Sequence, residues 1–247
     1  MKKEIIIGPI LLLIIWAILT SLHIIKPIFL PSIGSVISEL YKLFATGKIL
    51  GDLGSTLMRW IIGLAIGVAI GVPVGMLMGY SNKIYSSLEI IVDFFRSIPA
   101  MTLFPLFLVF FGIGNTAKIS ISAWGALLYV LVSAMYGVRH SREARLMVAK
   151  TLRATPFQTF TKFIFPDALP EIAGGIRVGI SLSLVLVVAS EMIMGTRLGL
   201  GKRIFDAALV YNMSEMYATI IIAGLLGYLS NKLFLLVENK AIHWTGK

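Results

Sequence analysis

An all-α membrane protein of about six transmembrane helices is the fold class this sequence predicts, on three observations. Hydrophobic residues fill 57% and charged residues only 14% of the 247 positions, a balance foreign to soluble domains. The apolar residues gather into runs of about 20, enough to cross a hydrocarbon core of about 30 Å. The charges gather between those runs, so the net charge of +10 reflects cationic flanks of membrane spans rather than a nucleic-acid-binding domain.

The first run, Ile5 to Ile25, follows Lys2 and Lys3 like the start of a signal peptide. It is longer than a usual signal core and has no small-x-small cleavage site after it, so a retained anchor with a cytoplasmic N-terminus is expected over residues 1–30. Residues 31–58 then form an external segment, in which Pro31–Asp52 carries apolar residues at helical spacing among Ser32, Glu39, Lys42 and Lys48 and reads as an interfacial helix. Five further runs, Arg59–Tyr80, Ile90–Gly112, Ala117–Val138, Ile176–Gly195 and Met216–Val237, make residues 59–237 a core bundle. Residues 238–247 remain as a cytoplasmic tail. This topology places Ser81–Ser87 and the long Arg139–Glu171 loop on the cytoplasmic side, where Arg139, Arg142, Arg145, Lys150, Arg153 and Lys162 supply the expected positive bias.

Within the spans, Gly63, Gly67, Gly71, Gly75 and Gly79 recur every four residues around Pro73, a spacing that lets another helix approach closely. Four residues turn a helix by about 400°, so the stripe drifts about 40° per step and wraps around the helix. Pro99 and Pro105 predict kinks or a broken helix in the third span. Glu191 and Arg96 are ionisable groups set into apolar runs, where charge is expensive. With Ser97 and Pro99 they are the candidates for a pathway or gate; for Arg96 the competing reading is a headgroup anchor.

Several chemistries are excluded. The chain has no Cys, and His23, His140 and His243 form no ligand-spaced pair, so neither thiolate chemistry nor a metal site is expected. No H-E-x-x-H occurs and Asp93 has no second intramembrane Asp, so no catalytic residue is assigned and the protein is not expected to be an enzyme. A self-contained secondary transporter or channel is the alternative; as a secondary transporter it calls for a midplane ion site and often an internal repeat, neither of which is visible.

The Arg139–Glu171 loop reads as two short helices. Ser141 caps the first, which runs to about Arg153 with Glu143 near its positive end. Thr155-Pro156-Phe157-Gln158 starts the second with a Thr cap, a Pro at the first position and a Gln at the capping-box position, and Pro166 stops it. Phe157, Phe160 and Ile164 then share one apolar face. Such an elbow suits either anionic lipid headgroups or a groove on a cytoplasmic partner.

The run Met147-Val148-Ala149-Lys150-Thr151-Leu152-Arg153-Ala154, followed by Phe163-Ile164-Phe165-Pro166, resembles the EAA loop of binding-protein-dependent ABC importer permeases. The resemblance extends to Phe29-Leu30-Pro31-Ser32, Arg96-Ser97-Ile98-Pro99, Phe111-Gly112-Ile113-Gly114, Ala189-Ser190-Glu191-Met192 and Gly199-Leu200-Gly201, and is strongest to the sulfonate, taurine and nitrate branch. Three positions depart from the pattern: Met147 replaces the family's Glu, Val148 its first Ala, and Arg153 the Gly between the two helices.

The resemblance implies a type I ABC importer permease-like bundle in a bacterial or archaeal inner membrane, with both termini cytoplasmic. The chain would form the translocation pathway as a homodimer. Its loop, with Ala149, Lys150, Thr151, Leu152, Arg153, Ala154, Phe157, Phe160, Ile164 and Pro166, would seat in a dimeric cytoplasmic ABC ATPase subunit. That partner would hydrolyse ATP with Mg, since this chain has no Walker-type phosphate loop and no cofactor of its own. An extracytoplasmic binding protein would deliver substrate to Pro31–Asp52 and Arg197–Asp206. Membrane lipid surrounds the bundle, and the substrate class spans sulfonates, taurine, nitrate, bicarbonate and pyrimidine-type vitamin precursors.

Overall fold

The computed structural model describes residues 4–22 and 24–242, with only the backbone given for residues 4–6 and 141–145. Lys2, Lys3, His23 and His243 lie outside the described residues, as do the side chains of Ser141, Arg142, Glu143 and Arg145. All regular structure among the described residues is helical: α1 (Glu4–Ser21), α2 (Ile33–Ala45), α3 (Lys48–Tyr80), α4 (Asn82–Ser97), a 3₁₀ turn (Ala100–Leu103) leading into α5 (Phe104–Phe111), α6 (Asn115–Thr151), α7 (Pro156–Thr159), a π turn (Phe160–Ile164), α8 (Phe165–Ile193), α9 (Leu200–Leu209) and α10 (Met213–Ala241).

Four helical stretches are long and apolar enough to cross a membrane: Lys48–Tyr80, Asn115–His140, Pro156–Ile193 and Met213–Ala241. The predicted third span is a pair of helices, Asn82–Ser97 and Ala100–Phe111, bent by 91°. Pro99 causes the break, since it lacks an N–H and drives Ile98 into extended backbone at φ −81° and ψ 122°. Pro105 makes no kink, because it falls in the first turn of α5, where its missing N–H has no intrahelical role. The apolar part of α1, Ile7–Ser21, is shorter than these stretches, so four helices, or five if the bent pair is one span, reach spanning length among the described residues where six were expected.

Other boundaries differ from the sequence-based expectation for identifiable reasons. Of the stretch expected to form an interfacial helix, α2 covers only Ile33–Ala45 and is capped by Ser32, which accepts from the Ser35 N–H. Residues 48–58 belong instead to α3, whose length comes to about 50 Å at helical rise. Ile49, Asp52 and Thr56, at i, i+3 and i+7, form a buried face that carries the helix through Gly51 and Gly54. Only Ser81 separates α3 from α4, so the expected Ser81–Ser87 connection is mostly helix.

The first helix of the predicted elbow is the far end of α6. Nothing from Val138 to Thr151 breaks it, and Ser141 lies inside it rather than at a cap. Pro166 does not stop the second helix either. Residues 160–164 wind wider, with the Phe165 N–H reaching back to the Phe160 carbonyl, and this π turn leads into α8 with Pro166 in its first turn.

The chain divides into two units, Met1–Thr56 with Thr196–Leu225, and Leu57–Gly195 with Leu226–Lys247. In the first, α3 supplies the polar groups that hold the start of α9: Asp52 accepts from the Gly199 N–H at 2.8 Å and Thr56 from the Leu200 N–H at 2.9 Å. In the second, buried Ala134, Val138, Ile164, Ala168 and Ile172 join α6 to α8. Buried Trp60, Ile180, Leu184 and Val187 join α3 to α8.

Candidate functional site: an elbow, a glycine seam and a polar cavity

The turn between α6 and α7 is fixed by its own backbone. The Ala154 N–H returns to the Ala149 carbonyl and the Arg153 N–H to the Lys150 carbonyl, both at 3.0 Å. This is the paired closure of a Schellman motif, with Arg153 at the position that needs a left-handed residue. Arg153 adopts φ 51°, a conformation that costs a non-glycine residue about 1–2 kcal/mol. The departure at residue 153 thus preserves the shape that glycine serves. Two residues later a complete capping box begins: Thr155 accepts from the Gln158 N–H, and the Gln158 side chain accepts from the Thr155 N–H.

The residues of the predicted coupling loop fall into two sets. Ala149 and Ile164 are buried, Ala154 and Pro166 partly so, and Phe160 packs edge-on against Tyr80 with ring centres 5.7 Å apart. Lys150, Thr151, Leu152, Arg153 and Phe157 face outward, together with Met147 and Val148. The single apolar face expected of Phe157, Phe160 and Ile164 is therefore divided. Phe157 is 77% exposed while Ile164 is fully buried.

The glycine stripe meets α6 in constant register. A Cβ placed on Gly63, Gly67, Gly71, Gly75 or Gly79 would come within 2.9 Å of the carbonyl oxygen of Ile119, Ala123, Leu127, Leu131 or Met135 respectively, with Gly75 closest. The partner advances four residues whenever the glycine does, so α3 and α6 run parallel. A four-residue repeat exceeds the 3.6-residue turn, which makes the shared seam wrap in the right-handed sense.

Beside the seam, α3 is tied to α8 by polar groups. Arg59 donates to the Glu191 carboxylate at 2.5 Å and to the Asn115 side-chain oxygen at 2.8 Å. Glu191 is fully buried and Arg59 nearly so. The Trp60 indole N–H donates to Ser183 and to the Ile180 carbonyl on the same helix. Glu191 thus meets a cation on another helix, and it stands apart from the wall of the cavity described next. Sequence reading overlooked Arg59 because it lay at a span end. The signal was available, since a carboxylate in an apolar run calls for a partner at similar depth.

Arg96, Ser97 and Pro99 line one cavity of about 650 Å³, bounded also by Asp93, Trp124 and Tyr129. Asp93 and Arg96 lie 3.4 Å apart, with side chains 64% and 44% exposed. The Trp124 indole N–H is buried without a hydrogen-bond partner. Trp124 was not singled out by the sequence, where nothing marks it off from a packing aromatic.

In the first unit, the two segments expected to receive a binding protein come together. Arg203 donates to Asp52 and Glu215, each at 2.6 Å, and to the Lys48 carbonyl at 3.2 Å. Partial burial works against the Arg203 charge, but the hydrogen bonds and charges of Asp52 and Glu215 outweigh it and raise its pKa further.

Several helices long and apolar enough to cross a membrane define a class, the multi-pass membrane protein. A family model of binding-protein-dependent transport system inner membrane components matches residues 71–240. The chain belongs to this family, and so to the inner-membrane permeases of ABC importers rather than to enzymes. It is 28% identical over 236 residues to SsuC of Bacillus subtilis, named for aliphatic sulfonates transport, covering 96% of this chain and 85% of that one. It is 30% identical over 241 residues to TauC, the taurine transport system permease protein of Escherichia coli, covering 96% and 87%. These relatives place it in the sulfonate, taurine and nitrate branch. The fold matches a chain of the inward-facing MetNI methionine ABC transporter with a TM-score of 0.67 at 22% identity, over 79% of this chain and 95% of that one.

Proposed function

We propose that the chain is one of two identical membrane halves of an ATP-driven importer, and that its elbow receives force from a separate dimeric ATPase subunit that hydrolyses ATP with Mg. The division of the elbow carries this reading. Ala149, Thr159 and Ile164 anchor it from inside, while Met147, Val148, Leu152 and Phe157 stand exposed on and beside the locked turn that carries Lys150 and Arg153. Apolar anchors with a charged rim on a rigid frame suit a groove in a protein partner. The continuous α6, about 55 Å long at helical rise, provides a direct mechanical link from the elbow to Asn115 and the Arg59–Glu191 pair. Glu191 in this reading holds the pathway helices rather than lining the pathway.

The elbow and both termini face the cytoplasm in this arrangement. An extracytoplasmic binding protein docks on the segments joined by Asp52 and Arg203 and delivers a small solute; sulfonates, taurine, nitrate and pyrimidine-type precursors fit the branch. Exposed apolar side chains such as Val109 and Phe110 meet lipid or the second copy.

The test is a Leu152→Asp, Phe157→Asp double variant expressed with a tagged cognate ATPase subunit. Co-purification is expected to be lost while the chain still inserts into the membrane. Undiminished co-purification overturns the docking role. Phe160 is left intact because its ring packs inside.

A further inference from the structure

We propose that the cavity beside the bend after α4 binds a small zwitterion, with the ligand's anionic group on Arg96 and its ammonium group on Asp93. This rests on the proposed import function and selects within it, favouring amino-sulfonates and amino acids over simple sulfonates or nitrate.

The cavity volume of about 650 Å³ lies in the range of small-molecule sites. Among the described residues, Asp93 and Arg96 are the only charged residues at its wall. They sit at i and i+3 on α4, 3.4 Å apart at the closest atoms, and both side chains remain substantially exposed. An ion pair this long and this exposed is weak, so each charge stays available to a ligand. A singly charged ligand would leave one wall charge facing its own sign or facing nothing, whereas a zwitterion matches both.

The Trp124 ring closes part of the wall while its indole N–H is buried away from the cavity, so the anionic end rests on Arg96. The Pro99 break bends the chain away from α4 and keeps the cavity between the last turn of α4 and α6.

The full chain, assembled with its ATPase subunit in lipid nanodiscs, is titrated calorimetrically with taurine and with isethionate, which replaces the amine by a hydroxyl. Taurine is expected to bind at least tenfold more tightly. Asp93→Asn should bring the two ligands within about twofold of each other. Arg96→Gln should weaken both at least tenfold. Both charged side chains are largely exposed, so these changes spare the fold, which unchanged melting temperatures verify. Equal binding of the two ligands by the wild type, no taurine binding by an intact ATP-hydrolysing complex, or an Asp93→Asn variant that keeps its preference overturns the zwitterion site alone. Failure of the wild-type chain to assemble with the ATPase overturns the coupling reading beneath it.

Discussion

The glycine seam and the elbow both concern positions that favour glycine, and they treat the requirement in opposite ways. At the seam, α6 backbone occupies the space a Cβ needs, and Gly75 faces the Leu131 carbonyl with no flexible side chain between to move aside. At the elbow the requirement is a left-handed dihedral, and Arg153 meets it at φ 51°. A dihedral penalty is bounded at about 1–2 kcal/mol and can be offset by the two Schellman hydrogen bonds. A steric demand from a neighbouring backbone is met only by moving the helix. Glycine is therefore replaceable where it serves its own backbone, and far less so where it serves another's.

The Arg59–Glu191 pair belongs with the seam, since both side chains are set by a neighbour. Glu191→Ala removes the carboxylate that faces a buried guanidinium and should lower stability by about 3–5 kcal/mol, read as a fall in melting temperature of the detergent-solubilised chain. A change under 1 kcal/mol would remove the pair from the set of neighbour-imposed positions. Gly75→Ala should cost up to about 3 kcal/mol through overpacking. Thermal unfolding checks it, and a wild-type value would break the distinction drawn between seam and elbow. The smallest effect is expected at Arg153→Gly, a gain of about 1 kcal/mol from relief of the left-handed strain. A loss there would mean that the Arg153 side chain holds the elbow through contacts of its own.

Legibility in the sequence followed the range of the cause. The capping box at Thr155 and Gln158, the Pro99 break and the close-approach spacing of the glycines are local signals, and each corresponds to a feature of the structure. Helix ends set by distant partners were misplaced. The start of α3 at Lys48 depends on burial of Ile49, Asp52 and Thr56, and the continuation past Pro166 depends on a π turn. Both rest on where other segments lie. The candidate site divides similarly: the elbow is legible as a motif, while the cavity that Asp93 and Trp124 share with Arg96 and Ser97 exists only through the packing of separate helices.

By itself the sequence determined that the chain is helical, membrane-embedded and interrupted by a cationic elbow, because hydropathy, charge placement and turn chemistry act over a few residues. Tertiary structure alone decided which elbow residues face outward, which carbonyls the glycines meet, that Glu191 meets Arg59 across 132 positions, and that two opposite charges share a cavity with an unpartnered indole. Those outcomes depend on the register of one helix against another, and helical periodicity constrains a helix's own faces without specifying what they meet.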